Sequence, residues 1–241
     1  MNKASHFLIK SCIKSSVVRP TIFGEHHIDQ QIPTLFMANH ARFYGPIVAS
    51  CYFPFADKMW ATFEVIEPSL CREYTTRTLF RERLEWNKTI SSMCGYMVGG
   101  LLAGLMQHEP LIPAYWEPQR ARKSINLGVQ AAVEGNSQIM FARNTGYDKG
   151  SLDNSFDFER GYQLIIHQLA KKHQQYIHIH PVAINRKNHT VAIGPHTAIT
   201  PEQSIKDEKR RIHDYLVWAV KVGHDSPEKL ANLKSDCIIV E

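Results

Sequence analysis

The sequence predicts an α/β domain on a largely parallel sheet, and three observations carry that expectation. Short apolar runs of strand length alternate with stretches of helical period. Glycine and proline mark several of the joins. Hydrophobic residues make up 44% and charged residues 21% of 241 residues, enough to bury a core. No repeat, low-complexity tract or linker-like run interrupts the chain, so residues 1–241 read as a single domain with helices flanking a central sheet.

The first element is a helical candidate over residues 6–18. Leu8, Ile9, Cys12, Ile13 and Val17 fall near one face, with Lys3, Lys10, Lys14 and Arg19 around it. Such a segment suits a membrane surface, making residues 1–20 a surface-binding stretch, or equally a helix packed on its own domain. It lacks a continuous apolar core, so a cleaved secretory leader is not expected. Residues 34–38 form an apolar run that predicts a buried strand ending at Asn39 and His40, followed by a turn and a helical run over 47–52.

Residues 89–108 carry no formal charge. As a helix they would extend about 30 Å, the thickness of a bilayer core. Gly95, Gly99, Gly100, Gly104, Ser91, Ser92, Gln107 and His108 dilute the hydrophobicity, and Gly95, Gly99 and Ala103 recur at the four-residue spacing that lets helices approach closely. Three readings stay open: a buried core helix in a tight contact, an interfacial or re-entrant membrane contact, and a full span.

Residues 122–134 repeat apolar positions at helical spacing (Ile125, Val129, Ala132), with Gly135 placed to cap the C-terminus. Strands are expected over 137–142, 176–184 and 190–193, the last ending at Gly194-Pro195. Helices are expected over 158–174, through Tyr162, Ile165, Ile166 and Leu169, and over 202–222, through Ile205, Ile212, Leu216 and Val220.

A formal net charge of +5 suits an anionic membrane surface or a phosphorylated substrate. It comes without the aromatic-plus-basic strand motif or concentrated basic stripe of a nucleic-acid binder, so none is expected. The five cysteines (Cys12, Cys51, Cys71, Cys94, Cys237) are odd in number, widely spaced and without a C-x-x-C pair. Neither a disulfide framework nor a structural zinc site is expected from them, and a reducing compartment is.

In parallel α/β sheets, reactive groups collect where strands end. An imidazole at such a point, as at His40, can take a proton from a hydroxyl because its ordinary pKa lies near physiological pH. His178 and His180, two apart in a predicted strand, point to one face as a metal-ligating pair would. No carboxylate or cysteine partner lies near them in sequence, so no metal is expected. His26 and His27 read as surface loop residues. Arg120 and Arg122, at a helix start, either contact a phosphate or are solvated charges.

Asn39-His40 resembles the first motif of the lysophosphatidic acid (glycerolipid) acyltransferase family, which reads Asn-His, four variable residues, then Asp. About one hundred residues later that family has a strand ending Phe-Pro-Glu-Gly-Thr-Arg; here Phe141, Ala142, Arg143, Asn144 and Thr145 hold the place, after a helix ending at Glu134-Gly135. Phe158 and Gly161 resemble the family's Phe-x-x-Gly approach. Pro181 to Ile184 resembles its buried Pro-Val-x-Ile strand, and Gly194-Pro195 its Gly-x-Pro region. These landmarks, in family order, cover roughly residues 20–220. The run Asn39, His40, Ala41, Arg42, Phe43, Tyr44, Gly45, Pro46 is also similar to a bacterial subgroup that keeps the histidine while dropping the aspartate.

The resemblance implies a glycerolphosphate-acyltransferase-like fold and transfer of a fatty acyl group from a thioester, acyl-CoA or acyl carrier protein, to a lysophospholipid-like hydroxyl. It implies His40 as general base, with Asn39, Arg42, Arg120, Arg143 and Thr145 around the substrate. It also implies no cofactor beyond the donor, and a peripheral place on the cytoplasmic face of the cell membrane. Two departures stand out. Gly45 occupies the aspartate position, and Ala142-Arg143-Asn144 replaces Pro-Glu-Gly, with Gly146 at the family's arginine. In the middle motif Glu117 stands for aspartate and Pro118 for arginine. A second reading therefore stays open, a catalytically lapsed member that binds lipid or a protein partner.

Overall fold

The apolar run at residues 34–38 is strand β2 (Thr34–Ala38), buried at every position as a strand covered on both faces must be. It belongs to a computed structural model that describes residues 3–41, 44–115, 117–142, 158, 161–173, 177–197 and 205–234. The other strands are β1 (Thr21–Phe23), β3 (Lys58–Thr62), β4 (Leu111–Ala114), β5 (Gln138–Phe141), β6 (His178–Asn185) and β7 (Thr190–Ile193). They form one seven-stranded sheet in the order β1-β7-β6-β2-β5-β3-β4. β2 lies between β5 and β6, parallel to both; β3 is parallel to β5 and β1 to β7. Among the described pairings, the β6–β7 hairpin and the isolated Ile179–Thr197 bridge are antiparallel. The α/β class with a mostly parallel sheet is therefore as expected.

The chain gathers into two compact units, Met1–Val17 with Trp60–Ser124, and Val18–Met59 with Ile125–Glu241. In the second unit, helix α2 (Tyr44–Tyr52) follows β2. The C-terminal half of helix α6 (Pro118–Val133) buries Val129, Ala131 and Ala132. Gly135 ends it in the left-handed region (φ 84°), its N–H donating to Ala132 while Asn136 donates to Ala131. That is the glycine cap anticipated from the sequence. Helix α7 (Gly161–Gln168) continues into a π-helical turn (Leu169–His173), and helix α8 (Ile205–Asp225) buries Ile212, Tyr215, Leu216 and Val220 before helix α9 (Pro227–Ala231).

The first unit contains helix α1 (Lys3–Ser16), α3 (Phe63–Ile66), α4 (Pro68–Tyr74), its π-helical continuation (Thr75–Arg83), and α5 (Lys88–Met106). Asn87 caps α5 by accepting from the Ile90 N–H at 2.9 Å. Ser91, Gly95, Gly99 and Ala103 form its buried stripe. A Cβ at Gly95 would overlap Thr76, and one at Gly99 would lie 2.6 Å from Arg72 Cα and 3.0 Å from the Cys71 carbonyl oxygen. The small-residue spacing thus brings α5 against the backbone of α4 and its continuation. Glu109, just past α5, accepts from Lys10 Nζ at 2.8 Å and meets His6 Nε2 at 3.1 Å, tying α1 to this end.

The buried-helix expectation for residues 89–108 holds for that stripe and Leu105. Ile90, Met93, Tyr96, Met97, Val98 and Leu101 are exposed, and α5 is the one described helix long and apolar enough to cross a membrane. Because Gly99 faces backbone rather than a yielding side chain, Gly99→Leu should cost about 1–3 kcal/mol through overpacking. Thermal unfolding reads this directly, and an unchanged midpoint would refute the close approach.

Candidate active site at the end of the central strand

The ends of β2 and β5 come level, with Ala38 opposite Phe141 and the Ala142 N–H donating to the Ala38 carbonyl at 2.7 Å. Asn39 continues from β2 into the interior, fully buried. Its carboxamide donates to the Ile184 carbonyl at 2.8 Å and accepts from the Ile184 N–H at 2.6 Å. Both polar ends of the side chain are therefore committed to β6. Asn39 thereby fixes the backbone on which His40 is mounted.

His40 is half-buried, its ring centroid 5.6 Å from that of Phe141 at the end of β5. Ala41 then adopts a left-handed conformation (φ 42°), a costly choice for a residue with a side chain, and the chain turns sharply. The Tyr44 N–H donates back to the Ala41 carbonyl at 3.2 Å as α2 begins.

Gly45 is the tightest point of this turn. A Cβ there would overlap the His40 carbonyl oxygen and lie 3.3 Å from Phe141 Cε1. The position of the family's aspartate is thus occupied by backbone packed on backbone. Beside it Tyr44 is buried, its hydroxyl 3.3 Å from His189 Nδ1. Burial, reinforced by Tyr52, pushes the Tyr44 phenol above its ordinary range, against the opposing pull of Arg186.

Arg42, Arg143 and Thr145, also expected as substrate contacts, lie outside the described residues. Arg120 belongs to the first unit. Its guanidinium sits 4.1 Å above the Tyr115 ring and 5.1 Å from that of Phe63, with Glu117 at 3.9 Å. The Tyr115 N–H donates to Ser124 Oγ at 3.0 Å, which holds that ring at the head of α6. Arg120 is therefore a cation seated on an aromatic face, its charge half-exposed. Arg122 is exposed.

A second cluster lies on β6. His178 and His180 share a face, as their spacing indicates, and a third histidine, His196, joins them. Sequence spacing did not point to His196, because it arrives through the β6–β7 hairpin and the Gly194-Pro195 break. No protein-family model matches the chain, and no curated protein matches it either.

Chemically, the β2 end offers a half-exposed imidazole beside an aromatic ring, on a backbone fixed by Asn39. Such a group can accept a proton from a hydroxyl brought to it.

Proposed function

We propose that the chain is an O-acyltransferase that moves a fatty acyl group from an acyl thioester to the hydroxyl of a lysophospholipid-like acceptor, with His40 as general base. The observation that carries this reading is the mounting of His40: an imidazole just beyond the most buried parallel strand, on a backbone clamped by Asn39. The order of motif-like segments along the chain supports the reaction class. In the step, an imidazole nitrogen of His40 takes the acceptor's hydroxyl proton as that oxygen bonds to the thioester carbonyl carbon. The carbon–sulfur bond then breaks, and the thiolate leaves with the proton returned from the imidazolium.

The test is acceptor-dependent release of free thiol by purified protein, from acyl-CoA and from acyl carrier protein thioesters, across a panel of lysophospholipids. Release that requires an acceptor supports transfer. Absence of release with every donor and acceptor overturns it and favours the lapsed lipid-binding member, which the loss of the aspartate at Gly45 supports.

The same reading puts the protein on the cytoplasmic face of a membrane. Its support is in the first unit: the exposed row Met93, Met97 and Leu101 on α5, with Ile90 and Tyr96, and Phe7 and Leu8 exposed on a lysine-bearing α1. Sedimentation with vesicles containing anionic lipid should show binding that weakens as salt rises, each lysine near the surface contributing about 1 kcal/mol at physiological ionic strength. Salt-insensitive, carbonate-resistant retention would indicate an embedded helix instead, and no sedimentation would discard membrane attachment.

A further inference from the structure

The N-terminal end of β6 holds an arrangement for which acyl transfer has no use. Thr34 pairs with His178 and Phe36 with His180, whereas His40 lies beyond the Ala38–Val182 pair. Roughly 13 Å of strand therefore separates the level of His180 from that of His40. His196 is brought back to β6 by its neighbour Thr197, which exchanges two 2.9 Å backbone hydrogen bonds with Ile179. Ligand nitrogens of His178, His180 and His196 all fall within 4.8 Å of one another.

The state of His180 is decisive. Its ring is fully buried, and Nδ1 lies 2.8 Å from the Gly194 carbonyl oxygen. A carbonyl only accepts, so Nδ1 carries the proton and Nε2 presents its lone pair. Among the described residues that Nε2 is buried without a hydrogen-bond partner, as is Nδ1 of His178. A ring locked by an N–H to a backbone carbonyl, with the opposite nitrogen bare, is how proteins orient imidazoles toward metals. We infer that His178, His180 and His196 form a binding site for a divalent transition-metal ion, with zinc the best match to three imidazole nitrogens.

The ligand set narrows the metal. Three imidazoles suit zinc, copper or nickel; calcium and magnesium require oxygen ligands, and the cluster contains no thiolate. Three nitrogens leave a fourth tetrahedral position for water or an exogenous ligand. Burial, with smaller contributions from the neighbouring histidines, holds His180 down to about 3 against the upward pull of its Gly194 bond. It is therefore in the neutral, ligating form at physiological pH. Burial also lowers His178 and His196, and on both of these Asp29 acts in the opposite sense, a carboxylate whose field reaches the two half-buried rings.

One rearrangement is required. The His178 and His196 rings stack at 3.8 Å with planes 9° apart, and a metal lies in the plane of each ring that binds it. One of the two must turn out of the stack, and both are only half-buried, while His180 is fixed. Binding would then pin the segment after β7 to the end of β6.

The test uses the full chain, stripped with a chelator and titrated with cobalt(II), then zinc(II). The expected result is one cobalt per chain with the visible absorption of a tetrahedral centre, displaced by zinc, and a zinc-dependent rise in the thermal midpoint. His178→Ala and His196→Ala are chosen because these residues are half-buried, and each should weaken binding at least tenfold. His26→Ala should leave it unchanged. Absence of stoichiometric binding of either metal overturns the site. So does binding that survives in the His178→Ala/His196→Ala double variant, which would place the metal on other histidines of the chain.

Discussion

His40→Ala should lower acceptor-dependent acyl transfer by about two to four orders of magnitude, the usual contribution of a general base. That corresponds to about 2.7–5.5 kcal/mol of transition-state stabilisation. The loss should fall on kcat more than on KM, because proton removal belongs to the reacting state rather than to binding. Stability should change little by comparison. The ring is half-buried, and the clamp that holds this part of the chain is the neighbouring Asn39 amide on Ile184, which the substitution leaves in place. Thiol release with the lysophospholipid panel measures the first effect, and circular dichroism with a thermal scan measures the second. Transfer equal to that of the parent would remove His40 from the mechanism, whatever the rest of the site does.

The elements legible in the sequence were those whose burial leaves a long pattern. β2 is covered on both faces and reads as an apolar run, and β6 reads as apolar residues interrupted by His178 and His180. α6 and α8 showed their helical period, and the stripe of α5 showed its spacing. β1, β3 and β4 did not register, since each has three to five residues and few are buried. β4 also contains Pro113, which reads as a break and is tolerated because β4 is at the sheet edge. The π-helical stretch Thr75–Arg83 was hidden for another reason: its winding departs from the 3.6-residue period on which helical patterns are recognised.

The candidate site was legible by residue type and not by orientation. His40 at a strand end is a chemical signal that needs no coordinates. Whether Asn39 turns to substrate or to the Ile184 backbone depends on the neighbouring strand, which local spacing does not encode. Likewise His178 and His180 announce a shared face through their period of two, but His196 reaches them only after the chain has reversed through the β6–β7 hairpin. Gly45 is the instructive case. In sequence it reads as a lost carboxylate; in space it is a close contact that leaves no room for one.

That contact determines what Gly45→Asp should do. In the family pattern a carboxylate five residues after the histidine would hold the ring and favour its protonated state. Here the Cβ of any side chain at position 45 would overlap the His40 carbonyl oxygen and press on Phe141 Cε1 at 3.3 Å. The strain comes from space, because Gly45 is not among the residues with positive φ. Accommodating it means moving the start of α2 or the His40 peptide, and either displaces the imidazole that the substitution was meant to assist. The expected result is a loss of about 1–3 kcal/mol of stability, a drop of roughly 2–12 °C in thermal midpoint for a chain of this size. Transfer should fall at least tenfold, as expected when a reacting group is displaced by about 1 Å. Gly45→Ala separates size from charge, since it introduces the same overlap without a carboxylate. Parallel losses in both variants would assign the effect to packing, with the parent already working without the aspartate. A silent parent and an active Gly45→Asp variant would establish the opposite, a relic restored by the missing group, and would overturn the enzyme reading of the chain as it stands.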